Sequence, residues 1–96
     1  MQTCYRYQFA PSLPIDEVKE TLHLAIVSTQ NLHGEGQVKL DAQITFDAEE
    51  RRCDIAAGTE VGRDLNQHFV GFLAKEFGQT EFTVKRNEPP RIHESN

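Results

Sequence analysis

The first regular alternation of apolar and polar residues falls near the start of the chain, over residues 4–9. Its more apolar side carries Tyr5, Tyr7 and Phe9, and its other side carries Cys4, Arg6 and Gln8. Successive side chains of a strand point to opposite faces, so a period of two predicts a half-buried strand. We expect the aromatic side of this strand to face the core.

A second alternation, over residues 38–46, is the clearest strand pattern in the chain. The short polar segment 47–51 follows it, and apolar alternation resumes at 53–57. This arrangement predicts a hairpin whose two strands are antiparallel. A last strand is predicted at 81–86.

Two other stretches repeat their apolar residues at steps of three and four, which is the pattern of a helix with one buried face. The first begins near Pro14, a residue that the first helical turn tolerates, and ends at the glycine-containing segment 31–36. The second spans residues 60–77. Thr59 before it is a suitable N-cap, and Gly78 after it is a common helix stop.

The resulting order is strand, helix, strand, strand, helix, strand. It predicts an α+β fold of the ferredoxin-like type, a βαββαβ sandwich with a four-stranded antiparallel sheet and two helices on one face. A length of 96 residues fits one domain. We assign residues 1–87 to it and expect the proline-broken, polar segment 88–96 to be a flexible tail.

Composition narrows the classes of function. The 10 Lys and Arg residues against 15 Asp and Glu give a net charge of -5, which disfavours nucleic-acid binding. No apolar run has the length of a membrane span or signal peptide, so no membrane association is expected. Cys4 and Cys53 form neither a redox motif nor a zinc motif. We therefore expect a soluble, reduced cytoplasmic protein without a cofactor or metal.

The segment AAGTEVGRD, residues 56–64, comes closest to a known chemical motif. Two glycines, Gly58 and Gly62, flank a helix start, and Arg63 adds a cation, as in anion-binding turns. The glycine spacing differs from that of phosphate-binding loops, and the acidic residues of the first turns would repel an anion. We favour a structural interpretation, in which Thr59 caps the helix and Gly62 permits close approach to the sheet.

Other candidate chemistry has an ordinary structural interpretation. Asp64 and His68 lie four apart on the second helix, where a surface ion pair is the favoured interpretation. His33 could act as a base beside Glu35, but similar loops are common without chemistry. An RNA-binding sheet needs aromatic residues on its open face, and the alternation of the first strand places them on the other face.

Two hypotheses for function remain. The favoured one is a non-catalytic assembly module, a homo-oligomer or subunit that meets a protein partner through the open face or a strand edge of the sheet. Its candidate interface residues are Arg6, Gln8, Arg52 and Asp54. The alternative is a small-molecule binding protein or enzyme with a pocket between sheet and helices. Its candidate ligand-binding residues are Tyr5, Tyr7, His68, Thr59 and Arg63, with Phe72 in the lining. Such a pocket would contain a perturbed histidine or a buried tyrosine hydroxyl without a protein partner.

Overall fold

The computed structural model describes residues 3–87, and the predicted tail 88–96 lies outside the described residues. The elements are β1 (Cys4–Phe9), α1 (Ile15–His33), α2 (Glu35–Asp41), β2 (Ile44–Asp47), β3 (Arg52–Ala56), α3 (Glu60–Phe77) and β4 (Phe82–Asn87). The strands pair antiparallel in the order β2-β3-β1-β4. This is the predicted ferredoxin-like topology, with the short helix α2 as an addition.

The core lies between one face of the sheet and the helices α1 and α3. Tyr7 and Phe9 of β1 are buried there, and the ring of Tyr7 lies 4.8 Å from that of Phe69 in α3. The prediction that the aromatic side of β1 faces the core is therefore confirmed. Among residues 3–87, the open face of the sheet carries no aromatic side chain of the kind that an RNA-stacking surface requires.

Helix α3 has the predicted bounds, and its start is fixed against the sheet. The side chain of Thr59 accepts a hydrogen bond of 3.0 Å from the backbone N–H of Gly62, which is the predicted N-cap. A Cβ atom on Gly62 would collide with the backbone carbonyl of Ala56. The close approach predicted for this glycine is present, and it brings the first turn of α3 onto the end of β3.

The alternation over residues 38–46 predicted one long strand, and this is wrong for its first half, which forms α2. Val38 is buried on α2, whereas Leu40, two residues later, is 78% exposed. The ladder between β2 and β3 begins at Ile44, because β3 ends at Ala56 where the chain turns into α3. A longer β2 would have had no partner for its backbone hydrogen bonds.

Arg51 at the tip of the β2–β3 hairpin ties that hairpin to the β1–α1 connection. Its φ of 54° lies in the left-handed region, which is uncommon for a residue with a side chain. Its guanidinium donates hydrogen bonds to the carbonyl oxygens of Ala10, at 2.8 Å, and of Leu13. The sequence pattern placed residues 47–51 only in a short polar hairpin loop, so this structural role was missed.

Candidate functional site

A groove of about 450 Å³ lies between α3 and the β1–β4 side of the sheet, and we call it the α3–β4 groove. Its lining consists of Tyr5, Tyr7, Arg63, Asn66, Gln67, Val70, Gly71 and Val84. Val70 and Val84 on its walls are 36% and 37% exposed. At Gly71 an added Cβ atom would meet nothing within 4 Å, so the missing side chain keeps this part of the groove open.

The floor of the groove is a buried hydrogen-bonded pair. The hydroxyl of Tyr7 donates to Oδ1 of Asn66 at 2.5 Å, and Nδ2 of Asn66 donates to the carbonyl oxygen of Gly62 at 2.8 Å. Burial raises the pKa of Tyr7 above its ordinary value of 10.0, so the phenol stays neutral and remains a donor. Tyr7 therefore has a protein partner, so the buried tyrosine hydroxyl without a partner that was expected of a ligand pocket is not found here, and no histidine is among the described lining residues. The Tyr7–Asn66 pair positions α3 over β1.

Three polar side chains of the groove have no such partner. Within residues 3–87, Tyr5, Arg63 and Gln67 make no side-chain hydrogen bond or ion pair. Tyr5 is half-buried, and the other two are exposed. The groove thus combines an apolar surface with a phenol, an amide and a guanidinium whose hydrogen-bonding capacity is unused by the described chain.

The structure brings together three of the five residues proposed from the sequence as ligand-binding: Tyr5, Tyr7 and Arg63. His68 does not line the groove, because residues five apart on a helix lie about 140° apart around its axis. Its ring stacks on Phe72 with centroids 6.2 Å apart, away from Tyr5 and Tyr7. A single cavity containing all these residues is not present.

Thr59 does not line the groove either, since its hydroxyl accepts the capping hydrogen bond from the backbone N–H of Gly62. The turn at the start of α3 is thereby occupied by its own cap. This arrangement supports the structural interpretation of the glycine-containing segment. The backbone N–H of Arg63 donates to the carbonyl oxygen of Thr59 at 2.9 Å, so the two residues are adjacent, but only Arg63 lines the groove.

The flank of α3 that faces α1 carries Asp64 and His68, and the last residue of α1 is His33, the third of the residues that the sequence singled out here. Nδ1 of His68 lies 3.0 Å from Oγ1 of Thr29, whose hydroxyl donates to the carbonyl oxygen of Ala25. Because the hydroxyl proton of Thr29 is used in the hydrogen bond to Ala25, the hydroxyl oxygen accepts the second hydrogen bond. We therefore assign Nδ1 of His68 as its donor. Nε2 of His33 lies 2.7 Å from Oδ2 of Asp64. The expected Asp64–His68 pair is replaced by two contacts between the helices, which we call the α1–α3 polar seam.

The four candidate interface residues are neighbours on the open face, where Arg6 pairs with Asp54 and Gln8 with Arg52 in the β1–β3 register. Nε and Nη2 of Arg6 donate to the two carboxylate oxygens of Asp54 at 2.9 and 3.0 Å. The side-chain amide of Gln8 donates to two backbone carbonyls at the hairpin tip. The charged centre of this face is therefore paired within the chain.

Comparisons with protein-family models, curated proteins and solved structures found no match for this chain. Functional inference therefore rests on the geometry of the molecule.

Few features of the described chain are candidates for redox catalysis, metal binding or membrane insertion. Cys53 is fully buried, and burial raises the pKa of its thiol to about 12, so it stays protonated at neutral pH. No three His, Cys, Asp or Glu side chains of residues 3–87 lie close enough together to hold a metal ion. None of the helices in that range is long and apolar enough to cross a membrane.

Proposed function

We propose that this domain binds a small organic molecule in the α3–β4 groove. The observation that carries the proposal is the concentration of three polar side chains that have no partner within residues 3–87, Tyr5, Arg63 and Gln67, along one concave and largely apolar surface. Ligand sites in proteins have this composition: apolar walls supply affinity, and a few polar groups fix the orientation of the ligand.

The size of the groove fits this function. Its volume of about 450 Å³ lies within the range of about 300–1,000 Å³ that is typical of small-molecule sites. The groove is also preformed, since the Tyr7–Asn66 hydrogen bond holds its floor. A preformed site needs little ordering when a ligand binds, and this lowers the entropic cost of binding.

The proposal is tested by screening a library of anionic, cationic and neutral fragments against ¹⁵N-labelled protein. Saturable shifts are expected at backbone amides of Tyr5, Gln67, Val70 and Val84, which line the groove. The variant Gly71→Leu places a side chain in the groove and is expected to abolish these shifts. Because leucine favours a helix by up to about 1 kcal/mol over glycine, the variant is expected to stay folded.

The matched control is Gly36→Leu, since Gly36 is also helical and also faces open space. This control is expected to bind the same fragments as the unmodified chain. Fragment shifts that lie outside the groove, or that persist in Gly71→Leu, would contradict the proposal, as would a complete absence of saturable binding.

Self-association is a second candidate function. It is supported by the position of β4 at the edge of the sheet, where residues 83–86 are exposed and no described strand pairs with the outer side. The open face around Arg6 and Asp54 is less favoured, because that ion pair is already satisfied within the chain. Native mass spectrometry decides this point: a dimer or larger assembly supports association, and a monomer contradicts it.

A further inference from the structure

We infer that the ligand of the α3–β4 groove is an amphipathic monoanion, a carboxylate on an aromatic or aliphatic body, held by the guanidinium of Arg63. This inference rests on the proposed ligand-binding function and specifies the chemistry of the ligand. It depends on the charge of the groove, on the surroundings of Arg63 and on the nature of the walls.

The described residues that line the groove carry one formal charge, and that charge is positive. Arg63 is the only Lys, Arg, Asp or Glu residue among the described residues that line it. The chain as a whole carries a net charge of -5, so the groove differs in sign from the protein around it. A cationic ligand would find no carboxylate in the lining, whereas an anionic ligand would find an opposite charge.

No acidic neighbour forms an ion pair with Arg63 within residues 3–87. Asp64, the next residue, is directed to the other flank of α3, where it lies 2.7 Å from Nε2 of His33. Glu60, one turn earlier, makes no ion pair with Arg63. At the position four residues later, where an acid would form a helical ion pair, the chain has the neutral amide Gln67. No carboxylate of the described residues therefore pairs with the guanidinium of Arg63.

A carboxylate suits these donors. The guanidinium fork of arginine binds both oxygens of a carboxylate, and the hydroxyl of Tyr5 and the amide of Gln67 are further donors in the lining. A single cation in an acidic protein does not favour a polyphosphate, which would need several cations. The valine and tyrosine side chains of the groove then cover the apolar body of the ligand.

The test uses two probes with the same apolar body, phenylpropanoate and its neutral amide phenylpropanamide. Each is titrated into ¹⁵N-labelled protein, and the affinity is read from the shifts of groove amides. Because a hydrogen bond to a charged group contributes about 1.5–3 kcal/mol, the acid is expected to bind about tenfold or more tightly than the amide. The preference is expected to fall as ionic strength rises.

The deciding variant is Arg63→Gln, and its matched control is Arg52→Gln, which makes the same charge change on the open face of the sheet. Arg63→Gln is expected to abolish the preference for the acid, and Arg52→Gln to keep it. Both arginines lie outside the core, so both variants are expected to fold.

Three results count against the account in different ways. If the unmodified chain bound acid and amide with equal affinity, the inference that the ligand is a monoanion would be overturned, but the groove would still be a ligand site. Equal loss of the preference in the two variants would show that overall charge, and not Arg63, attracts the acid. If neither probe shifts the groove amides while other library fragments do, the inference fails alone, and if no fragment shifts them, the proposed ligand function fails as well.

Discussion

Asp64 and His68, on the flank of α3 that faces α1, each contact a residue of α1, whereas Arg63 and Gln67, on the flank that faces β4, contact no polar partner among residues 3–87. Both flanks carry polar residues of the types found at functional sites. On the first flank their hydrogen bonds join two helices, and on the second their hydrogen-bonding capacity is unused.

This difference shows that residue type alone does not locate a site. Histidine and aspartate are the residues that suggest chemistry in a sequence, yet here they form the α1–α3 polar seam. Buried polar groups need partners because leaving them unpaired is costly. The contacts of the seam therefore have a structural interpretation, whereas Arg63 and Gln67 of the groove have no polar partner among residues 3–87.

The largest loss of stability is expected from a substitution where the start of α3 contacts the sheet. Gly62→Ala places a Cβ atom against the Ala56 carbonyl, a backbone atom that cannot move without shifting the strand. We expect a loss of about 3 kcal/mol in the free energy of unfolding, at the upper end of the usual cost of overpacking. Urea denaturation measures it.

The control for that variant is Gly71→Ala on the groove flank, where an added Cβ atom meets nothing within 4 Å. Replacing this helical glycine is expected to stabilise the protein by up to about 1 kcal/mol. If both variants were equally destabilised, the close approach at Gly62 would not be what holds α3 in place.

Alkaline pH is expected to weaken the structure beneath the groove. Burial raises the pKa of Tyr7 above 10.0 and that of Cys53 from 9.0 to about 12. Above these ordinary values the unfolded chain releases protons that the folded chain keeps, so unfolding becomes more favourable as pH rises. The contribution of the two groups is complete below pH 9.0 and is lost progressively through the raised pKa values.

Urea denaturation as a function of pH checks this expectation. Tyr7→Phe is expected to remove the part of the alkaline sensitivity that belongs to the phenol and to leave the part that belongs to Cys53. A free energy of unfolding that stayed constant well above pH 10.0 would contradict the burial of these groups.

Smaller changes in stability are expected when either of two adjacent side-chain amides on the groove flank of α3 is replaced. Asn66→Ala removes the acceptor of the buried Tyr7 hydroxyl, so the free energy of unfolding is expected to fall by about 1–3 kcal/mol. Gln67→Ala removes an exposed amide without a partner among residues 3–87, and its stability is expected to change by less than about 0.5 kcal/mol. Similar losses of stability in the two variants would contradict the view that only Asn66 of the groove floor has a structural role.

A small loss of stability is also expected when the α1–α3 polar seam is altered. Asp64→Asn weakens a partly exposed contact with His33 and is expected to cost about 0–1 kcal/mol. Thermal unfolding measures the cost. A fragment that binds the groove is expected to keep its affinity within about twofold, apart from a small change in long-range charge. A loss of binding as large as that of Gly71→Leu would assign the seam to the site.

Residues 60–77 show what could be predicted from the sequence. Thr59 and Gly78 mark the two ends of α3 by their backbone preferences, and a long apolar stripe lies between them, so the bounds follow from local signals. Residues 38–41 show the limit of such signals. Their short apolar alternation fits a strand, but the turn after Ala56 leaves that strand without a partner.

The candidate site was only partly predictable for a similar reason. Alternation placed Tyr5 and Tyr7 towards the helices, and the groove does contain them with Arg63. Helical spacing about the axis of α3 could have separated His68 from Arg63, because it places them on different flanks. Neither the openness at Gly71 nor the pairing of Asp64 with His33 has a local signal, since both depend on how α3 packs between α1 and β4.

A ligand site in the α3–β4 groove is distinguished from one in the α1–α3 polar seam by measuring the affinity of phenylpropanoate for Arg63→Gln and His68→Gln, one variant on each flank of α3, with stability recorded in parallel. We expect Arg63→Gln to bind about tenfold more weakly with nearly unchanged stability, since it loses a charge-assisted hydrogen bond. We expect His68→Gln to keep the affinity of the unmodified chain and to lose some stability. The reverse pattern, with binding lost only in His68→Gln, would rule out the groove and place the site in the α1–α3 polar seam.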